Sequence, residues 1–243
     1  MKVSATNMKN FFGKYLEKCK GEEILITKND RVVAKLSTYV DASDGYLMLK
    51  EGSAAYAYSG KRVTYEEFRK ITDNNEERYE YIGGEIYLMA SPGISHQLIH
   101  TNISAHLINY FKGKKCHVFS APFDVTLAND EQKSKNVVQP DLLISCDYLE
   151  EHDENDRYTG IPALVIEIMS PSTRSMDQVR KLNVYLDGGV SEYWVVDPRD
   201  RKVISYSFVA RQLEDMTLFK YPDMVKSVHF PGLEVPTTDI FGV

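Results

Sequence analysis

The 243-residue chain has no apolar stretch near the roughly 18–20 residues needed to cross a bilayer. Its amino terminus lacks the apolar core of a signal peptide, so the expected location is cytoplasmic, with no membrane partner. Three cysteines, Cys19, Cys116 and Cys146, are scattered without CxxC spacing, which sets aside the common zinc and redox frameworks. Buried free thiols in a reducing compartment are the expectation for them. Internal repeats and low-complexity tracts are absent. Surplus positive charge is missing as well: net charge is −6, against a nucleic-acid binder that works through its global field. What remains is an ordinary globular composition, 43% hydrophobic and 26% charged.

The charge is unevenly shared. Residues 1–41 carry eight Lys/Arg against five Asp/Glu (+3), and the remainder 21 against 30 (−9). Nucleic-acid affinity in the larger part must therefore come from a local basic cleft or from metal ions. Within 1–41, Lys2–Ala5 reads as a strand, with Ser4 or Thr6 as cap for a helix. From Asn7 to Lys20, Met8, Phe11, Phe12, Tyr15, Leu16 and Cys19 recur at helical spacing, and Gly21 ends the helix. Two strands then flank the turn Asn29-Asp30. A β-α-β-β unit this small has too little core to stand alone, so pairing with a second copy is expected.

Residues 42–62 are rich in Gly, Ser and Ala and read as a linker, with a short strand around Tyr46–Leu49. Thr64-Tyr65-Glu66-Glu67 is a capping box, predicting a helix over Tyr65–Thr72. Strands follow on either side of Gly83-Gly84. A helix spans Ser95–Phe111, with Leu98, Ile99, Ile103, Leu107, Ile108 and Phe111 inward. Strands are expected at His117–Leu127, Val137–Ser145 and Ala163–Met169, a helix at Met176–Leu186 ending at Gly188-Gly189, and strands at Glu192–Val196 and Val203–Val209. The order predicts an α/β or α+β fold with a mixed sheet.

Two acids stand out. Asp141 follows Pro140 at the head of the apolar run VVQPDLLIS, and Glu167 comes 26 residues later inside ALVIEIMS. Burying an unpaired carboxylate costs several kcal/mol. A shared divalent cation resolves that cost; a buried salt bridge from Glu167 to Lys181 or Arg180 is the structural alternative. By strand alternation Val165, Glu167 and Met169 face one way and Leu164, Ile166 and Ile168 the other. Mg²⁺ suits one or two carboxylates and accepts phosphate oxygens. Lys181, on the helix after the strand, is positioned to reach the same spot, with Asp177 one turn before it and Tyr185 one turn after. The pattern points to metal-dependent phosphodiester hydrolysis.

The stretches RYEYIGGEIYLMASPGISHQ, VVQPDLLISCD and PALVIEIMSPSTRSMDQVRKLNVYLDGGVSEYWVVDP resemble the Uma-family restriction endonucleases, a branch of the PD-(D/E)XK nuclease superfamily. The resemblance implies a restriction-endonuclease-like mixed β-sheet flanked by helices over 63–243, Mg²⁺ or Mn²⁺, and DNA as substrate. It further implies Asp141, Glu167, the Ile168 carbonyl and Glu80 as metal-holding groups, Lys181 as the displaced catalytic lysine, and His96 and Gln139 as accessory polar positions. Met169 stands where the superfamily has its strand lysine. Residues 1–41 resemble the Phd/YefM antitoxin module, which dimerises and binds operator DNA; Lys2, Lys9 and Lys14 are its implied phosphate contacts. The tail that meets a toxin in that family does not follow directly here, and the sequence identifies no toxin partner.

His96 and His100, four apart on a helix, could hold zinc, although no HExxH motif or third ligand accompanies them. Glu85 could join Glu80. Tyr79, Tyr81, Tyr87, Tyr193 and Trp194 read as fillers of sheet faces. Ser170-Pro171-Ser172-Thr173 reads as a loop and cap, not a nucleophile. The leading expectation is a metal-dependent endonuclease fused to an antitoxin-like module that makes it a homodimer. The alternative is a non-enzymatic repressor with an inactive nuclease fold.

Overall fold

The computed structural model describes residues 2–18, 24–28, 31–36, 61–73, 75–129, 134–154, 157–169 and 180–242. The Asn29-Asp30 turn, Gly21, Cys19, the strand at 46–49, the loop 170–173 and the first residues of the helix expected from Met176 lie outside them. The chain divides into two compact units, 1–43 and 44–243. No helix among the described residues is long and apolar enough to cross a membrane.

In the first unit, β1 (Lys2–Ser4) leads into α1 (Ala5–Asn10) and α2 (Phe12–Lys18), followed by β2 (Ile24–Lys28) and β3 (Arg31–Leu36). β1 pairs in parallel with β2, and β2 antiparallel with β3. Ser4 caps α1 by accepting from the Asn7 N–H at 3.2 Å. The single helix expected over Asn7–Lys20 is interrupted at Phe11, whose φ of −131° leaves the helical region. Asn10 and Gly13, both poor helix formers, flank the break. Among the described residues, Val3, Met8 and Ile24 form the buried core, while Phe11, Phe12 and Leu16 stand exposed.

The second unit opens with α3 (Tyr65–Thr72), closed by the full capping box: Thr64 N–H to Glu67 Oε2 at 2.8 Å and Glu67 N–H to Thr64 Oγ1 at 3.2 Å. β4 (Tyr79–Ile82) and β5 (Glu85–Leu88) follow as a hairpin whose turn needs positive φ at both Gly83 and Gly84, +60° and +89°. After them come α4 (Ile94–Phe111), β6 (His117–Ser120), β7 (Val125–Asn129), β8 (Ser134–Val138), β9 (Leu142–Ser145) and β10 (Leu164–Ile168). The remainder is α5 (Leu182–Gly188), β11 (Glu192–Asp197), β12 (Lys202–Val209), β13 (Gln212–Lys220), β14 (Met224–Lys226), β15 (Glu234–Pro236) and α6 (Thr237–Phe241).

The main sheet has the order β13-β12-β11-β10-β9-β6, with β10 and β11 parallel and every other neighbour antiparallel. A second, antiparallel sheet runs β5-β4-β8-β7. This is the mixed α/β architecture expected. Two single strands expected from the sequence are each split between the two sheets. His117–Leu127 breaks at the cis Ala121-Pro122 bond into β6 and β7, and Val137–Ser145 breaks at Pro140 into β8 and β9. Proline cannot donate to a ladder, so the chain changes sheet where each proline stands.

The alternation expected along β10 is observed. Leu164, Ile166 and Ile168 join α4, Trp194 and the carboxy-terminal elements in one core. Val165 and Met169 join β7, α5 and Tyr193 in the other. α4 turns Ile99, Ile103, Leu107 and Phe111 inward at strict four-residue spacing. Leu98 and Ile108, expected inward, are 41% and 59% exposed because they fall a residue to either side of that row.

The free-thiol expectation is corrected. Cys116 and Cys146 are bonded, with Cα atoms 4.0 Å apart. The β6–β9 register sets His117 opposite Ser145, so the two cysteines are the next facing pair. Truncating Ile103 to Ala removes a fully buried side chain and is expected to cost about 2–5 kcal/mol in urea unfolding. Ile108→Ala should stay within about 0.5 kcal/mol of wild type. Equal losses would refute the assigned face of α4.

Candidate active site

The register between β9 and β10 brings the two acids together. Leu164 faces Ile144, Val165 faces Leu143 and Ile166 faces Leu142. One further step sets Asp141 opposite Glu167. The ladder ends there because Pro140 precedes Asp141. Freed from the ladder, the Asp141 side chain folds onto the neighbouring strand: its Oδ2 accepts the Ile168 N–H at 2.7 Å.

Two histidines on the first turns of α4 close on the same residue. His96 Nε2 lies 3.1 Å from Asp141 Oδ2, and His100 Nε2 lies 3.2 Å from the Asp141 carbonyl oxygen. The helical spacing that could have held zinc instead brackets one aspartate. No group of three or more His, Cys, Asp or Glu is arranged to hold a metal ion among the described residues.

Glu167 points into the core between the two sheets. Its Oε1 accepts from Lys181 Nζ at 2.8 Å and from Tyr185 OH at 2.5 Å. Lys181 Nζ also lies 3.0 Å from Glu80 Oε1, which accepts the Gln139 N–H at 2.8 Å. Glu80, Glu167 and Lys181 are 0%, 4% and 1% exposed. Burial, followed by the neighbouring Glu167 charge, holds the Tyr185 hydroxyl well above its usual pKa, so it acts as a donor. The salt bridge foreseen for Glu167 thus exists, made by Lys181. Arg180 goes elsewhere, stacking on the Tyr87 ring at 4.8 Å and lying 3.8 Å from Glu85. Glu85 therefore sits with Arg180 and Tyr87, not with Glu80.

Lys181 is in helical conformation (φ −66°, ψ −33°) directly before α5, and the earlier residues of the helix expected from Met176 lie outside the described ones. Met169 packs in the core, 4% exposed. Gln139 is more than an isolated polar position: Arg78 Nε donates to its Oε1 at 2.8 Å, and its Nε2 donates to Asp124 Oδ1 at 2.8 Å. Arg78 and Asp124 had no sequence signal, since they come from separate strands' ends. Tyr185 had one, being a turn beyond Lys181. Among the basic residues of the first unit, Lys9 and Lys14 are exposed on α1 and α2, and the Lys2 side chain lies outside what is described.

Residues 65–238 match the Uma2 family, described as "putative restriction endonuclease". An uncharacterized protein of Synechocystis sp. is 26% identical over 124 residues, 51% of this chain. That match spans 62% of the relative's own length. Among solved structures, one titled "a putative nuclease belonging to DUF820" from Anabaena variabilis superposes with a TM-score of 0.60. It is 21% identical and the match covers 74% of this chain and 98% of that one, which establishes a shared fold.

Lys181→Met strands two buried carboxylates against each other and should destabilise the protein by about 3–5 kcal/mol in denaturant titrations. Adding Glu80→Gln to that variant should recover part of the loss. A single variant as stable as wild type would mean that the ammonium does not join the sheets.

Proposed function

The chain belongs to the Uma2 family of restriction-endonuclease-like proteins, and from that premise we propose that it is a metal-dependent endonuclease hydrolysing DNA phosphodiester bonds. The observation that carries this reading is the β9–β10 register, which continues to set Asp141 opposite Glu167, while Glu167 and Glu80 share the Lys181 ammonium at 2.8 and 3.0 Å. Glu80 and Glu167 set two carboxylates against one ammonium, an excess of negative charge next to the strand that carries Asp141 and one that suits a divalent cation. The Asp141 side chain is the open member at 19% exposure, and its Oδ1 meets no protein donor among the described residues. On this reading Mg²⁺ or Mn²⁺ would be held by Asp141, Glu167 and the Ile168 carbonyl, with Glu80 behind them.

Such a cation would acidify water, polarise the P–O bond and steady the leaving oxygen. The protein's own groups divide the rest of the work. Lys181, buried between two carboxylate oxygens, acts through Glu167, holding that carboxylate in place instead of acting as a base. Glu80 and Tyr185 hold Lys181 and Glu167 in place. His96 holds the Asp141 carboxylate from the α4 side. The first unit, with Lys9 and Lys14 exposed, adds contacts to the DNA backbone in the manner of the antitoxin-like module it resembles.

Plasmid, linear and single-stranded DNA incubated with the protein and Mg²⁺ or Mn²⁺ should be cut. Asp141→Asn and Glu167→Gln, each checked for folding, should lose about 10²-fold or more of that activity. In the inactive Asp141→Asn background, Lys9→Glu with Lys14→Glu should weaken DNA binding. Intact DNA of every form with wild-type protein and either metal would sink the enzyme reading, and equal cutting by all variants would sink the site.

A further inference from the structure

β13 closes one side of the main sheet and leaves an outer edge that no strand among the described residues covers. The direction of its backbone groups can be read from its end. Tyr221 N–H donates back to the Arg201 carbonyl at 3.1 Å, beside β12, while Lys220 N–H turns away to Asp223 Oδ2 at 2.7 Å. Alternation then points the peptide groups of Met216 and Leu218 outward, available for another ladder. The side chains of these two residues share one face of the sheet, since they pair with Tyr206 and Ile204. Both are exposed, at 56% and 45%. A free edge with an apolar row is one that native proteins ordinarily blunt or pair.

The charges on the strand select the partner. Glu214, the extra residue of a bulge against β12, and Lys220 lie at either end of the apolar pair, and both are exposed. Neither makes an ion pair among the described residues. Acid, apolar, apolar, base is a row that complements itself when reversed. We propose that the outer edge of β13 pairs with the same edge of a second copy of this chain, antiparallel about a twofold axis at Thr217. In that register Met216 faces Leu218 of the second copy, and Glu214 faces its Lys220. Shifting the register by one pair towards the hairpin sets Glu214 against an apolar Leu218. The opposite shift sets Lys220 against Met216. Only the central register satisfies both charges, and it joins two six-stranded sheets into one.

Sedimentation equilibrium of the full chain should show a dimer. Glu214→Lys or Lys220→Glu alone puts like charges opposite each other at both ends of the ladder and should raise the dimer Kd about tenfold. The two reversals together should restore it. Thr217→Cys should crosslink under mild oxidation, because facing residues between hydrogen-bonded pairs have Cα atoms about 4.5 Å apart. Unfolding midpoints of the charge reversals should match wild type, since both positions are exposed. A monomeric wild type overturns the proposal. So does a dimer indifferent to both reversals, as pairing through residues 1–41 would give, or one in which Thr217→Cys fails to crosslink.

Discussion

The Lys181 ammonium, buried between Glu167 of the main sheet and Glu80 of the second, is the interaction on which the larger unit depends. Three charged groups this deep in an apolar interior are unfavourable one by one and tolerable only together. Their pairing through one ammonium lets β4 and β10 face each other across a common core. It also fixes the start of α5, where Lys181 and Tyr185 both reach Glu167. A protein stabilised by packing alone would have no reason to keep such a cluster, since apolar replacements of similar volume are often as stable. On the proposed reading, its position at the strand ends serves chemistry at the site.

The second constraint is where the strands stop. Pro140 ends the β9 ladder one residue before it would enclose Asp141, so a carboxylate that begins in a hydrophobic run emerges at the sheet's opening. The histidines of α4 and the Ile168 N–H then fix its orientation without sealing it. Burial is graded across the site as a result: Glu80 and Lys181 form a closed inner layer, and Asp141 is the outer member facing solvent. Gln139 braces the inner layer, its N–H holding Glu80 while its side chain bridges Arg78 and Asp124.

Much of this was legible in the chain's pattern. The capping box at Thr64, the Gly83-Gly84 turn, the alternation along β10 and the tyrosine-filled sheet faces follow from local rules. The family resemblance drew together residues far apart in sequence. Other features depended on pairing between distant strands. The proline breaks that send β6 and β7, or β8 and β9, into different sheets look like continuous strands until the ladders are known. The Cys116–Cys146 bond follows from the β6–β9 register alone. The exposed sides of α4 and the Phe11 break in the first unit reflect packing that periodicity cannot rank. The strands from β13 onward, too polar or too short for a clear pattern, were not anticipated.

On the proposed reading, Asp141 and Glu167 share one divalent ion. Anomalous diffraction from crystals soaked in Mn²⁺ tests it without reference to catalysis. The account predicts a peak with carboxylate oxygens of both residues at about 2.1 Å. A map with no peak there, or with manganese bound away from both residues, would contradict it.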